Sequence, residues 1–144
     1  MLSYRETKVL NFSADQLFEM VSDVRLYPDF LPWCVGSRVQ TKTKTQMVAD
    51  LVIGFSVFRE RFTSQISMDP EIHKIDTKLI KGPFKNLSNH WKFTELETGG
   101  TEVEFAVEFE FKSRILQRAI EPMFAQAQKR MVTAFEKRAH ELYG

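Results

Sequence analysis

Val103-Glu-Phe-Ala-Val-Glu-Phe-Glu-Phe111 is followed, after Lys112, by the long segment Ser113–Tyr143. In the first stretch Val103, Phe105, Val107, Phe109 and Phe111 face one way, and Glu104, Ala106, Glu108 and Glu110 face the other. A period of two with one apolar and one charged face is a strand buried on one side and wet on the other. In the second stretch the period becomes helical. Leu116, Ile120, Met123, Phe124, Ala127, Met131, Phe135 and Leu142 form one stripe. Pro122 lacks a backbone N–H and crowds the preceding turn, so it is expected to bend or interrupt the helix near its start. Met123, Ala127 and Met131 are flexible, small and flexible, and opposite a Phe-rich strand they permit a cavity.

Strand patterns continue upstream. Met47, Ala49, Leu51, Ile53 and Phe55 alternate with Val48, Asp50, Val52 and Gly54. Phe58, Phe62, Ile66 and Met68 share a face opposite Arg59, Arg61, Thr63 and Gln65. Ile75, Thr77 and Leu79 alternate with charged residues, and Leu87, Trp91 and Phe93 alternate with Ser88, His90 and Lys92. Met68-Asp-Pro70, Gly82-Pro83 and Gly99-Gly100 supply the turns. Ser3–Leu10 reads as a first strand. Ser13 and Gln16 then form a capping box, with Phe12 and Leu17 at the staple positions of a short helix. Asp23–Trp33 holds Pro28 and Pro32 among Tyr27, Phe30, Leu31 and Trp33, and is a loop or a broken short helix. The order strand, helix, strands, long helix predicts an α+β fold in one domain over residues 1–144. Its long C-terminal helix lies across the concave face of a curved antiparallel sheet.

Composition narrows the function. Of 144 residues 43% are hydrophobic and 27% charged, with a net charge of +1. That excludes a disordered chain and argues against a dominantly electrostatic nucleic-acid binder. Thirteen residues are Phe against three Tyr and two Trp, an excess that suits a packed core or an apolar cavity. Cys34 is the only cysteine, so no intrachain disulfide forms and a reducing compartment is expected. Met1–Lys8 has no basic stretch leading into an apolar run, and no signal peptide is expected. The longest apolar run, Leu51–Phe58, is broken by Gly54 and Ser56. It falls far short of the ~20 residues a membrane helix needs, so any membrane contact is expected to be peripheral.

Motifs for chemistry are sparse. His73, His90 and His140 lack metal-ligand spacing, and no histidine lies near Cys34 in sequence. There is no nucleophile elbow, P-loop or dinucleotide fingerprint. Glu60 interrupts the face of Phe58 and Phe62, and is either a rim residue in a salt bridge or a buried acid beside Arg59 or Arg61. Lys129, Arg130, Lys137 and Arg138 flank the final apolar stripe. They form a solvated helix face or a contact for anionic lipid or RNA.

Five short blocks, in order along nearly the whole chain, resemble the coenzyme Q-binding protein family. This is a branch of the START-like, helix-grip superfamily. They are Tyr27-Pro-Asp-Phe-Leu-Pro-Trp-Cys34 with Ser37-Arg-Val39; Gly54-Phe55 with Glu60-Arg-Phe62; Gly82-Pro-Phe84 with Trp91-Lys-Phe93; Phe109-Glu-Phe-Lys-Ser113; and Met131–Ala139 with Leu142-Tyr-Gly144. The resemblance implies a non-catalytic protein holding ubiquinone in an apolar cavity beneath the long helix, with no other cofactor. Its expected role is to support respiration or quinone biosynthesis. It also implies a bacterial cytoplasmic protein peripheral to the inner membrane, or a processed form on the mitochondrial matrix side. Bacterial members are also labelled ribosome-association toxins, so a ribosomal subunit is a second candidate partner. A polyketide cyclase-like enzyme using Glu60 is a third reading.

The candidate ligand-binding residues follow from position. Tyr27, Phe30, Leu31, Trp33 and Phe84 would form lids. Phe55, Phe62, Trp91, Phe105 and Phe109 would line the sheet side. Met123, Phe124, Ala127 and Met131 would line the helix side. Glu60 and Arg61 are the polar head-group candidates, with Trp33 and Tyr27 beside them. A ten-unit isoprenoid tail exceeds what a domain this small encloses. Part of it is therefore expected to stay exposed, to enter a membrane or to be covered by a second subunit.

Overall fold

The computed structural model describes residues 1–55 and 57–144. Ser56, one of the two residues that break the Leu51–Phe58 run, lies outside them. β1 (Leu2–Leu10) leads into α1 (Ala14–Ser22) and a 3-10 turn (Val24–Asp29). Six strands follow: β2 (Cys34–Lys42), β3 (Gln46–Phe55), β4 (Phe58–Asp69), β5 (Lys74–Lys81), β6 (Phe84–Glu95) and β7 (Thr101–Phe111). The chain ends with α2 (Arg114–Ile120), a second 3-10 turn (Glu121–Met123) and α3 (Phe124–Tyr143). The strands form one antiparallel sheet in the order β1-β7-β6-β5-β4-β3-β2. Register shifts in β2, between Thr63 and Ser64, and between Phe84 and Asn86 add the local bending that curls such a sheet.

The expected elements are present, with the reasons visible in their side chains. Ser13 Oγ accepts from the Gln16 N–H at 3.1 Å, and Gln16 Oε1 accepts from the Ser13 N–H at 3.1 Å. This reciprocal cap fixes the start of α1, while Phe12 and Leu17 are buried in the core. Thr101, fully buried, donates its hydroxyl to the Phe12 carbonyl at 2.6 Å. It ties β7 to the entrance of α1. In β7 every inward residue is buried from Thr101 to Phe111.

The helical stripe needs correction. α3 restarts at Phe124 after the 3-10 turn that contains Pro122, and Met123 stands outside it with φ −119° and ψ 5°. Leu116, Phe124 and Phe135 of the expected stripe are nonetheless buried, on both sides of Pro122. The stripe fails at Met123, in the turn itself, and near the end of α3. The buried residues of α3 are Phe124, Val132, Phe135 and Ala139. Met123 is 40% exposed and Leu142 47% exposed.

The convex face carries one buried charge. Asp50 on β3 lies opposite Thr63 on β4. It accepts the Thr63 hydroxyl at 2.5 Å and the Gln40 side-chain amide at 2.8 Å. The Thr63 hydrogen bond is the main cause that holds the Asp50 carboxyl below its usual range; Gln40, Arg61 and Arg38 add to it. A carboxyl depressed on folding stabilises the fold above its unfolded pKa, and that stabilisation is lost as pH falls through the folded value. Asp50→Asn is therefore expected to lower stability at neutral pH and to flatten the acid limb of a plot of thermal midpoint against pH. Thermal melts of both forms between neutral pH and pH 3 check this.

Candidate ligand-binding site

Between the concave face of the sheet, α3 and the segment that follows α1 lies a cavity of about 190 Å³. Rings close much of it. Phe84 packs edge-on against Phe62 and Phe109 and stacks on Phe111 at 4.7 Å. Phe135, from α3, meets Trp91, Phe30 and Tyr27 edge-on at 5.0, 5.2 and 5.4 Å. The Tyr27 hydroxyl donates to the Val21 carbonyl, and burial pushes its pKa far up, with Cys34 and Asp23 adding to the shift. That hydroxyl is held within the wall, and only the Tyr27 ring faces the cavity. Burial also raises the Cys34 thiol, which suits an inert wall residue rather than a thiolate nucleophile.

A polar strip crosses this apolar floor. Ile66 pairs with Thr77, Ser64 with Leu79, and Thr77 with Asn89. Ser64, Thr77 and Asn89 thus run across β4, β5 and β6 on the cavity side, and all three line the cavity. Asn89 donates its amide to the Ala106 carbonyl at 3.0 Å. Gln128 on α3 and Trp33 add polar groups from the other walls. Among the described residues, three buried side-chain polar atoms have no hydrogen-bond partner: Trp33 Nε1, Ser64 Oγ and Gln128 Oε1. All three residues line this one cavity. A buried polar group without a partner costs about 1–3 kcal/mol, and three gathered in one cavity are groups that bound water or a polar ligand group would satisfy. Trp33 offers a donor only, Ser64 offers both roles, and a half-turn of the Gln128 carboxamide presents either end.

The expected site residues divide clearly. Tyr27, Leu31, Trp33, Phe62 and Phe84 line the cavity, as do Trp91, Phe105, Phe109 and Met131. Phe30, Phe55, Met123, Phe124 and Ala127 do not. Phe30 packs on Phe135 beneath the Arg138 guanidinium, 5.4 Å from its ring. Phe55 packs on the Trp33 ring at 5.7 Å and Phe124 on Phe109 at 5.1 Å, each supporting a wall residue. Met123 sits in the 3-10 turn, and Gln128, one turn after Phe124, takes the inward place expected of Ala127.

The two head-group candidates also fall outside the lining. Arg61 is exposed on the convex face, beside Asp50, because it alternates with Phe62. Glu60 is half-buried opposite Ile53, on a part of β4 that extends past the end of β5. Ser64, Asn89 and Gln128 were missed. Each is a polar residue at an inward position of an otherwise apolar period, which is the signal that marks it. Among the described residues, the cavity wall holds no Asp, Glu, His, Lys or Arg.

Residues 10–136 match the model of the polyketide cyclase / dehydrase and lipid transport family. The chain belongs to that family. Within the polyketide cyclase and lipid transport family it is 38% identical to the ribosome association toxin RatA of Rickettsia prowazekii, over 99% of each chain. It is 37% identical to the coenzyme Q-binding protein COQ10 homolog B, mitochondrial, of Xenopus laevis, over 99% of this chain and 60% of that protein. The fold is that of a START superfamily protein from Mycobacterium smegmatis, with a TM-score of 0.81 at 19% identity over 97% and 98% of the chains. It is equally that of the Zhui aromatase/cyclase from Streptomyces, with a TM-score of 0.84 at 16% identity over 96% and 93%. The curved seven-stranded sheet with its long C-terminal helix is therefore the START-like, helix-grip arrangement, in a lipid-binding family.

Proposed function

We propose that the chain binds the ring of ubiquinone, or of a closely similar isoprenoid quinone, in this cavity and carries or holds it without transforming it. The observation that carries the reading is the trio of unpartnered polar atoms in an apolar, ring-lined cavity. A quinone presents two carbonyl acceptors on a flat apolar ring. Trp33, Ser64 and the amide of Gln128 supply donors, and Trp91, Phe105 and Phe109 supply apolar faces. The relative named for coenzyme Q binding supports the choice of ligand. A wall without carboxylate, imidazole or amine supports binding over general acid–base catalysis, and the cyclase reading loses Glu60 from the cavity.

A cavity of about 190 Å³ lies below the ~300–1,000 Å³ that encloses a drug-sized ligand. It suits the ring and the start of the tail, and the rest of a long tail extends outside it. Tail protection would then come from a bilayer or a second subunit, and the protein would work from the cytoplasm beside the inner membrane. Among the described residues, no helix is long and apolar enough to cross a membrane.

Both tryptophans of the chain, Trp33 and Trp91, line the cavity, which provides the test. Adding a short-tailed ubiquinone is expected to quench their fluorescence to saturation at one equivalent, with Trp33→Phe and Trp91→Phe each retaining part of the response. Quenching that rises linearly and matches that of urea-unfolded protein contradicts the reading. The RatA relative favours a second reading, association with a ribosomal subunit. It predicts salt-sensitive co-sedimentation with subunits that Lys129→Glu with Arg130→Glu abolishes.

A further inference from the structure

We propose that the end of the molecule formed by the β3–β4 hairpin, the β5–β6 turn and α2 docks on the surface of an anionic lipid bilayer. The inference goes beyond the ligand reading and stands whichever lipid fills the cavity.

The hairpin is an arm. Thr63 is the first residue of β4 paired with β5, where it meets Lys81. Phe58–Phe62 pair with β3 alone, so at about 3.4 Å per residue the arm reaches roughly 17 Å past β5. Val57 at its tip is 88% exposed. Antiparallel topology brings the end of β3, the end of β5, the start of β6 and the end of β7 to this same end. The Lys112 N–H donates to the Pro83 carbonyl at 2.7 Å, which joins the end of β7 to the β5–β6 turn. α2 starts two residues later and presents Ile115, 76% exposed.

Cations surround these aliphatic tips. Arg59 and Arg61 lie on the arm, Lys81 and Lys112 at the strand ends, and Arg114 and Arg118 on α2. All are exposed, and none makes a salt bridge among the described residues. The nearest acid on β7, Glu110, is already paired with Lys85 at 3.3 Å and with the N-terminal amine at 3.4 Å. The net charge of the chain is only +1, so this end is basic because charge is segregated. The arm carries one acid, Glu60, whereas the turns at the other end carry Asp69, Glu71, Glu95 and Glu97 against Lys42, Lys44 and Lys74.

The arm also connects to the cavity. Ile53 and Trp33 line it, the Gly54 N–H donates to the Trp33 carbonyl at 2.9 Å, and Phe55 packs on the Trp33 ring. Apolar contacts thus run from Phe55, the last residue of β3, to the cavity wall. Cations interleaved with aliphatic side chains fit lipid rather than RNA. Anionic headgroups attract the first and acyl chains take up the second, whereas an RNA backbone rewards only the charges.

The test is flotation of the full chain with vesicles of phosphatidylcholine containing phosphatidylglycerol, against phosphatidylcholine alone. Binding is expected to be at least about tenfold stronger to the anionic vesicles and to weaken as salt rises. Lys112→Glu/Arg114→Glu/Arg118→Glu is expected to remove it. Val57→Ser with Ile115→Ser is expected to weaken it several-fold without changing the salt dependence. Lys129→Glu/Arg130→Glu, on α3, leaves it unchanged. All these positions are exposed, and an unchanged thermal midpoint verifies the fold of each variant. Equal binding to both vesicles, no binding, or loss in the α3 pair alone overturns the proposal. So does a result in which the α2 triple variant loses binding to purified ribosomal RNA while vesicles are ignored.

Discussion

Phe135→Ala is expected to lower the free energy of unfolding by about 3–5 kcal/mol, the cost of truncating a buried aromatic side chain. Phe135 is 4% exposed and is the point at which α3 grips the rest of the molecule. Its ring meets Trp91 from the sheet, and Tyr27 and Phe30 from the 3-10 segment. Two structural layers lose their common partner when it is removed. The site also borders an existing cavity, so the void left behind merges with open space and the walls have little to collapse onto. Urea unfolding followed by circular dichroism measures the loss. A change below about 1 kcal/mol, the level of an ordinary surface substitution, would show that α3 is held elsewhere.

Ser64→Ala with Gln128→Leu is expected to move stability and binding in opposite directions. Both native side chains hold buried oxygen atoms without partners, and Ser64 is only 1% exposed. Replacing an unpartnered buried polar group by an apolar one of similar shape is neutral or stabilising. The double variant should therefore unfold at equal or higher urea, by about 1–2 kcal/mol. Each lost hydrogen bond to the ligand ring weakens binding up to about tenfold, so quinone affinity should fall by roughly 10- to 100-fold. Titration of tryptophan fluorescence and urea melts on the same preparation read both quantities. Lower stability with unchanged affinity would show that these groups serve packing and not recognition.

The architecture is legible in the sequence because β7 alternates without a fault and Ser13–Gln16 caps α1 where the helical period starts. The helical stripe is legible on both sides of Pro122 except at Met123, Ala127 and Leu142. Phe124, Met131 and Phe135 hold the inward face of α3, but Gln128, one turn after Phe124, takes the place expected of Ala127, and Met123, in the 3-10 turn, is exposed. Half of the site was readable by parity alone. Arg61 neighbours Phe62 and must face away from it. Ser64 and Asn89 occupy inward positions between Phe62 and Ile66, and between Leu87 and Trp91. A polar residue in such a gap is easily passed over as an imperfect pattern, yet it is where an apolar cavity acquires its selectivity. The reach of the β3–β4 arm was not readable. It depends on where β5 stops pairing, and neither strand pattern marks that register.

The central claim is that the cavity holds a quinone ring by Trp33, Ser64 and Gln128. It is tested most directly by expressing the chain in a quinone-producing bacterium, purifying it without detergent, and analysing an organic extract by mass spectrometry beside the Ser64→Ala/Gln128→Leu variant. The account predicts near-stoichiometric quinone with the native chain and little with the variant. No quinone in either extract, or equal amounts in both, would contradict it.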